Sequence, residues 1–223
     1  FEKSEANVRQ NIQRLGITYP VAMDNEFAIW RAFKNQYWPA HYFIDAKGQI
    51  RHHHFGEGDY AGSERVIQQL LKEAGAANVA SNVVSVQAEG AEAAADMAQV
   101  ESPETYVGYG RAENFRSPGG LANDVIKDYV AAPLKLNDWS LSGRWRVTRE
   151  HADLQAAGGR IAFRFKARDL HLVMGPSKPG APVRFRVLID GAAPGANAGS
   201  DIDAQGLGRV DGERLYQLVR QTG

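Results

Sequence analysis

The spacing of apolar residues changes once along the chain, from mixed helix and strand periods to strict alternation. Near the start, Val8, Ile12 and Leu15 recur on one helical face behind Ser4-Glu5-Ala6-Asn7, a sequence suited to capping, and Gly16 predicts a stop. Tyr19-Pro20-Val21-Ala22-Met23 is a short apolar run. Asp24-Asn25 is expected to cap a second helix carrying Phe27, Ile29, Trp30 and Phe33. Ala40–Asp45 reads as a strand, Ala46-Lys47-Gly48 as a tight turn and Gln49–Phe55 as the hairpin partner. The loop Gly56-Glu57-Gly58-Asp59-Tyr60 leads to a helix with Val66, Ile67, Leu70 and Leu71 at core spacing. The order is α-β-α-β-β-α.

Residues 76–103 are rich in Ala, Ser, Glu and Asn and poor in large apolar groups, ending at Ser102-Pro103. They read as a linker with a helical turn or two around Glu92–Val100. From Tyr106 the pattern is β. Asp138–Thr148, Ala152–Gln155, Arg160–Lys166, Asp169–Met174 and Val183–Ile189 are short runs between Gly/Pro turns, and Leu215–Val219 is a further strand-like run. Phe163 and Phe165, then Leu170, Leu172 and Met174, then Val183, Phe185, Val187 and Ile189 alternate with Arg164, Lys166, His171, Arg184 and Arg186. Neighbours on a strand point to opposite faces, so this phase predicts one dry face and one solvated basic stripe. The fold class expected is α/β followed by all-β, the second part a jelly-roll-like antiparallel β-sandwich.

Composition narrows the chemistry. Of 223 residues, 43% are hydrophobic and 23% charged, and Lys+Arg and Asp+Glu both total 26. A net charge of zero argues against nucleic acid or an anionic membrane surface as the main partner. No apolar run approaches the ~20 residues of a spanning helix. There is no Cys, so these residues hold no disulfide, thiolate metal site or thiol nucleophile, and no cofactor is expected. The absence of an initial Met at Phe1-Glu2-Lys3-Ser4 and the close approach of both ends to regular elements suggest a piece of something longer.

Trp38-Pro39, between a helix and a strand, is the most informative dipeptide; an aromatic residue before Pro at a strand entrance favours a cis peptide, although most X–Pro bonds are trans. The stretch from Tyr37 through Trp38, Pro39 and Ala40–Asp45 to Gly48 and Ile50 resembles the second half of a thioredoxin-like domain of the redoxin class. With Phe55-Gly56-Glu57-Gly58, Ser102–Tyr106, Gly143-Arg144-Trp145 and Ala157–Ile161, the chain resembles the C-terminal region of DipZ-type proteins. That resemblance implies residues 1–75 as a truncated thioredoxin-like domain without its Cys-x-x-Cys segment, 76–103 as linker, and 104–223 as a carbohydrate-binding-module-like sandwich lacking its last strands. It implies a cis Trp38–Pro39 bond, with Trp38 and Pro39 lining a substrate site. It further implies an extracytoplasmic thiol–disulfide oxidoreductase, a CcdA-like membrane electron-transfer domain as partner, and disulfide-bearing proteins as substrates. The alternative is a non-catalytic module that recognises cell-wall glycan or a protein.

Other motifs carry a functional and a plain reading. His52 and His54 share a strand face opposite His53; a zinc site would need a further ligand, and none lies nearby in sequence. Trp139 and Trp145 are the candidate platforms for a carbohydrate or partner if exposed, and core residues if buried. Residues 195–203 offer oxygen ligands without the acidic spacing of a calcium loop, and read as a turn.

Overall fold

The computed structural model describes residues 3–85, 88, 90, 93, 96, 98–178 and 180–221. The chain divides into two compact units, Phe1–Ala88 and Glu89–Gly223, so the division falls inside the stretch 76–103. In the stretch 92–100, where a helical turn or two is expected, residues 92, 94, 95 and 97 lie outside the described residues, and the five that are described belong to no helix.

In the first unit, α1 (Glu5–Arg14) begins at Ser4, whose hydroxyl accepts from the Asn7 amide, and ends where Gly16 turns left-handed at φ 62°. The second helix, α2, is shorter than its apolar spacing predicts. It spans Ala28–Ala32 because Phe27 adopts a left-handed φ of 55° just before it and Phe33 closes it. Asp24 supplies its cap across the turn. Its carboxylate oxygens accept from the Ile29 and Trp30 amides at 3.0 and 2.8 Å, whereas Asn25 turns away to donate to the Lys3 carbonyl. β1 (Ala40–Ile44) and β2 (Ile50–Phe55) form an antiparallel hairpin. α3 (Tyr60–Glu73) follows, capped by Asp59. Arg51 joins hairpin to helix, its Nη1 lying 3.2 Å from Asp45 and 2.7 Å from Glu73.

The second unit is built of β-strands, as the alternation predicts, and among the described residues its strands pair antiparallel, with isolated parallel bridges at Phe115–Trp139 and Asn123–Val147. Its spine is β4 (Trp139–Val147). The first half pairs with β6 (Arg160–Phe163), and the second pairs with β3 (Ile126–Tyr129) and β5 (Ala152–Leu154). Gly143, at φ 90°, sits where the partners change, a backbone geometry that favours glycine. β7 (Asp169–Met174) pairs with β10 (Arg214–Arg220), and β8 (Val183–Arg186) with β9 (Leu207–Val210).

Two apolar clusters form the core. Tyr129, Trp139, Leu141, Trp145 and Val147 make one; Val210, Tyr216, Leu218 and Val219 make the other. Phe163 packs on the first, and Phe165, Leu172, Val187 and Ile189 on the second, while Arg164, Lys166, Arg184 and Arg186 are exposed. The inward and outward phase is therefore the expected one except at Val183, which is exposed at the start of β8. The single basic stripe is not: its strands belong to three different hydrogen-bonded ladders, and His171 is half-buried beside Gln217. The acids of the 195–203 turn are engaged locally. Asp201 accepts from the Gln217 amide, and Asp203 from those of Gln205 and Leu207.

Candidate functional site

The strand entrance at Trp38–Pro39 carries the site. Asn35 shapes its approach: the side-chain Nδ2 donates to the Tyr37 carbonyl, and the Oδ1 accepts from the Tyr42 hydroxyl, both at 2.9 Å. The chain therefore leaves α2 and doubles back along β1 in a fixed path. The Trp38–Pro39 peptide is cis, as the resemblance implies. The Pro39 carbonyl accepts from the Gly56 amide at 2.9 Å, tying the strand entrance to the loop before α3.

Around that step lies an aromatic group. The Trp38 ring is 4.3 Å from Trp30 and 6.4 Å from Phe27, centroid to centroid, and Tyr37 lies 5.0 Å from Phe55. Trp38 nevertheless keeps 71% of its surface exposed, a large ring area open to an apolar partner. Next to it, a cleft of about 360 Å³ separates α2 from β1, walled by Trp30, Phe33, Tyr42 and Ile44 with Asp24 at its polar end.

β1 pairs with β2 along one edge; among the described residues no strand pairs with the other. Ala40, Tyr42 and Ile44 share one face by strand alternation, and His41 and Phe43 take the opposite one.

The titratable groups here do not form an acid–base pair. Hydrogen bonds from the amides of Trp30 and Ile29 hold the Asp24 carboxyl below the usual carboxylate range. That carboxylate is spent on the helix cap. The histidines lie along the hairpin, with His54 opposite His41 and His52 opposite Phe43. No cluster of three His, Cys, Asp or Glu with metal-holding geometry occurs among the described residues. The arrangement offers an exposed aromatic contact surface; among the described residues it supplies no acid–base pair and no thiol nucleophile.

The two tryptophans proposed as platforms in the β unit lie elsewhere than expected. Trp139 is 1% exposed, donates to the Glu113 carbonyl at 2.7 Å and packs on Phe115; Trp145 is 6% exposed and donates to the Ser142 carbonyl at 2.9 Å. Stacking on a sugar needs an open ring face, and neither has one. Both sit on the inward phase of β4, so burial of large rings outweighs any surface role. Sequence reading missed the Asn35 and Gly56 contacts that shape the strand entrance, for hydrogen bonds to backbone carbonyls leave no residue-type signature.

A thioredoxin-like segment with a cis proline at a strand entrance, followed by an antiparallel β unit, defines the class, and comparison with known proteins agrees. The family described as thioredoxin-like C-terminal domain matches residues 102–223, more than half of the chain, and the chain belongs to it. Over 178 residues it is 35% identical to protein DipZ of Mycobacterium bovis (strain ATCC BAA-935 / AF2122/97), covering 78% of this chain and 25% of that protein. Protein DipZ of Mycobacterium tuberculosis (strain CDC 1551 / Oshkosh) matches to the same extent. A 66-residue stretch is 32% identical to the thiol-disulfide oxidoreductase YkuV of Bacillus subtilis (strain 168), covering 30% of this chain and 45% of that protein. The chain thus spans about a quarter of the length of its DipZ relatives. No helix among the described residues is long and apolar enough to cross a membrane.

Proposed function

We propose that the chain serves an extracytoplasmic thiol–disulfide oxidoreductase of the DipZ type, with its first unit holding the extended backbone of a disulfide-bearing substrate. The observation that carries this reading is the exposed ring of Trp38 on a cis Trp38–Pro39 step at the entrance of β1. The carbonyl before Pro39 offers an acceptor to an extended chain, and the Trp38 ring gives its side chains an apolar contact. The relatedness to DipZ and to YkuV supplies the redox class.

Exchange requires a thiolate that attacks one sulfur of the substrate disulfide, forms a mixed disulfide and expels the other sulfur as the leaving thiolate. A second thiolate then attacks the mixed disulfide and releases reduced substrate. The 223 residues contain no Cys, so both thiols lie in other residues or another protein. What this chain contributes is position. Trp38 and Pro39 orient the substrate beside the strand entrance, and a CcdA-like membrane domain would renew the electrons.

The test is binding of a reduced and alkylated, unfolded protein to the 223-residue chain, followed by tryptophan fluorescence. We expect saturable binding that weakens at least about tenfold in Trp38→Ala, the loss of one well-placed aromatic anchor. Equal binding by native chain and variant would overturn the assignment of the site.

A further inference from the structure

Gln217 has only 1% of its surface exposed, and two backbone groups fix the orientation of its amide. Its Oε1 accepts from the Ser200 N–H at 3.1 Å, and its Nε2 donates to the Gly90 carbonyl at 3.0 Å. A backbone N–H can only donate and a carbonyl can only accept, so the amide cannot be reversed without losing both bonds. The same Nε2 lies 3.4 Å from Nε2 of His171, the residue opposite Gln217 in the β7–β10 ladder. Facing a donor, that ring nitrogen must carry a lone pair. The His171 ring that fits this contact is neutral, with its proton on Nδ1.

We propose that His171, Gln217 and Gly90 form a proton-sensitive latch, which holds the chain at Gly90 against β10 while the ring is neutral and loosens it when the ring is protonated. A second ring proton would set two donors against each other. Either His171 must turn away or the Gln217 amide must leave Ser200 and Gly90.

Gly90 is fitted for this position. It adopts φ 59°, and a Cβ there would come within 3.2 Å of Ser200 Oγ. Its carbonyl takes two other donors, the Ala93 amide at 3.2 Å and Arg220 Nη1 at 3.3 Å, so losing Gln217 removes the shortest bond of three. The charged groups facing His171 come from three elements. Asp169 on β7 and Asp201 in the turn before β9 favour the imidazolium, and Arg220 on β10 opposes it. Asp201 is itself committed to Arg214 and to the backbone N–H of Gln217. Burial is the largest influence and holds the His171 pKa below its ordinary value, so the latch is shut at neutral pH and opens on acidification.

The experiment is an NMR titration of the ¹⁵N-labelled 223-residue chain from about pH 7.5 to about pH 4.5, the interval in which histidines titrate. It follows the His171 ring, the Gln217 side-chain amide and the heteronuclear NOEs of Gly90 and Ala93. We expect all of them to change with one midpoint below ~6.5, the ordinary histidine value, with the Gly90 and Ala93 NOEs falling. In His171→Gln, which offers an acceptor and takes no proton, those NOEs should stay level across the range. Gly90 and Ala93 signals that ignore the protonation of His171 would overturn the latch, and so would the same NOE loss in the variant. The native titration alone decides the matter if the variant does not fold.

Discussion

The indoles of Trp38 and Trp30 lie with their centroids 4.3 Å apart and their planes inclined by 46°, yet only the inner one is shielded, since Trp38 remains 71% exposed. A ring held against its neighbour but open to water contributes little to folding. Trp38→Ala should therefore change stability by no more than about 0.5 kcal/mol. Trp139→Ala removes a ring from the centre of the β unit and should cost about 3–5 kcal/mol. Urea denaturation followed by circular dichroism measures both. A large loss for Trp38→Ala would mean that its ring is a folding element and not a binding surface.

Without a thiol there is no exchange. The purified 223-residue chain should reduce insulin no faster than a buffer blank, with mass spectrometry excluding a contaminating reductase. Turnover above that blank would require a nucleophile other than cysteine.

Asp24 sets a pH dependence in the first unit. Its carboxyl is held below the usual range by the Trp30 and Ile29 amides, so the folded pKa lies below the unfolded one. The cap is fully present above the unfolded value and is lost as pH falls through the folded one. Asp24→Ala should lower the thermal stability of this unit at pH 7, and the gap from the native chain should close in acid, at a pH below the ordinary aspartate value. Melting curves at both pH values check the sign. A gap that persists undiminished in acid would rule out the ionised cap as its source.

Close approach at Gly159 gives a packing test. A Cβ there would collide with Leu154 Cδ1 and come within 3.0 Å of the Trp145 Nε1. Gly159→Ala should destabilise the β unit by about 1 kcal/mol, the low end for overpacking, because the exposed Leu154 side chain can swing aside while the buried Trp145 ring cannot. Stability equal to the native chain would show that the Trp145 ring gives way as well.

These contacts explain which parts of the fold were legible in the sequence. Where residues alternate, as in Phe185-Arg186-Val187-Leu188-Ile189, the pattern reports the inward face directly, although Val183 two residues earlier is exposed. β3 and β9 escape this reading for different reasons. Ile126-Lys127-Asp128-Tyr129 sets two charges inside four residues, and Lys127 is held half-buried by the Gly119 and Gly120 carbonyls. Leu207-Gly208-Arg209-Val210 looks like a turn because of its glycine, but a Cβ on Gly208 would strike the Phe185 ring lying across it. In the candidate site, Trp38-Pro39 was legible because a rare residue pair marks a rare backbone step. The roles of Asn35 and Gly56 depend on carbonyls brought near by the fold, which no local pattern records. Trp139 and Trp145 were ambiguous for a related reason: aromatic type signals large contact area without saying whether a core or a ligand provides it.

Ser102 donates to Asn137 Oδ1 at 2.6 Å and accepts from the Lys166 amide at 2.8 Å, while the Glu101 amide reaches the Lys166 carbonyl at 2.9 Å. The family match opens at the same place, residue 102. For anyone grafting this β unit onto an unrelated carrier, that clasp marks the seam. A graft begun at residue 104 would strip the Lys166 amide and carbonyl and the Asn137 side chain of these partners. One begun a few residues earlier would travel with its own fastening, ready to be joined to whatever precedes it.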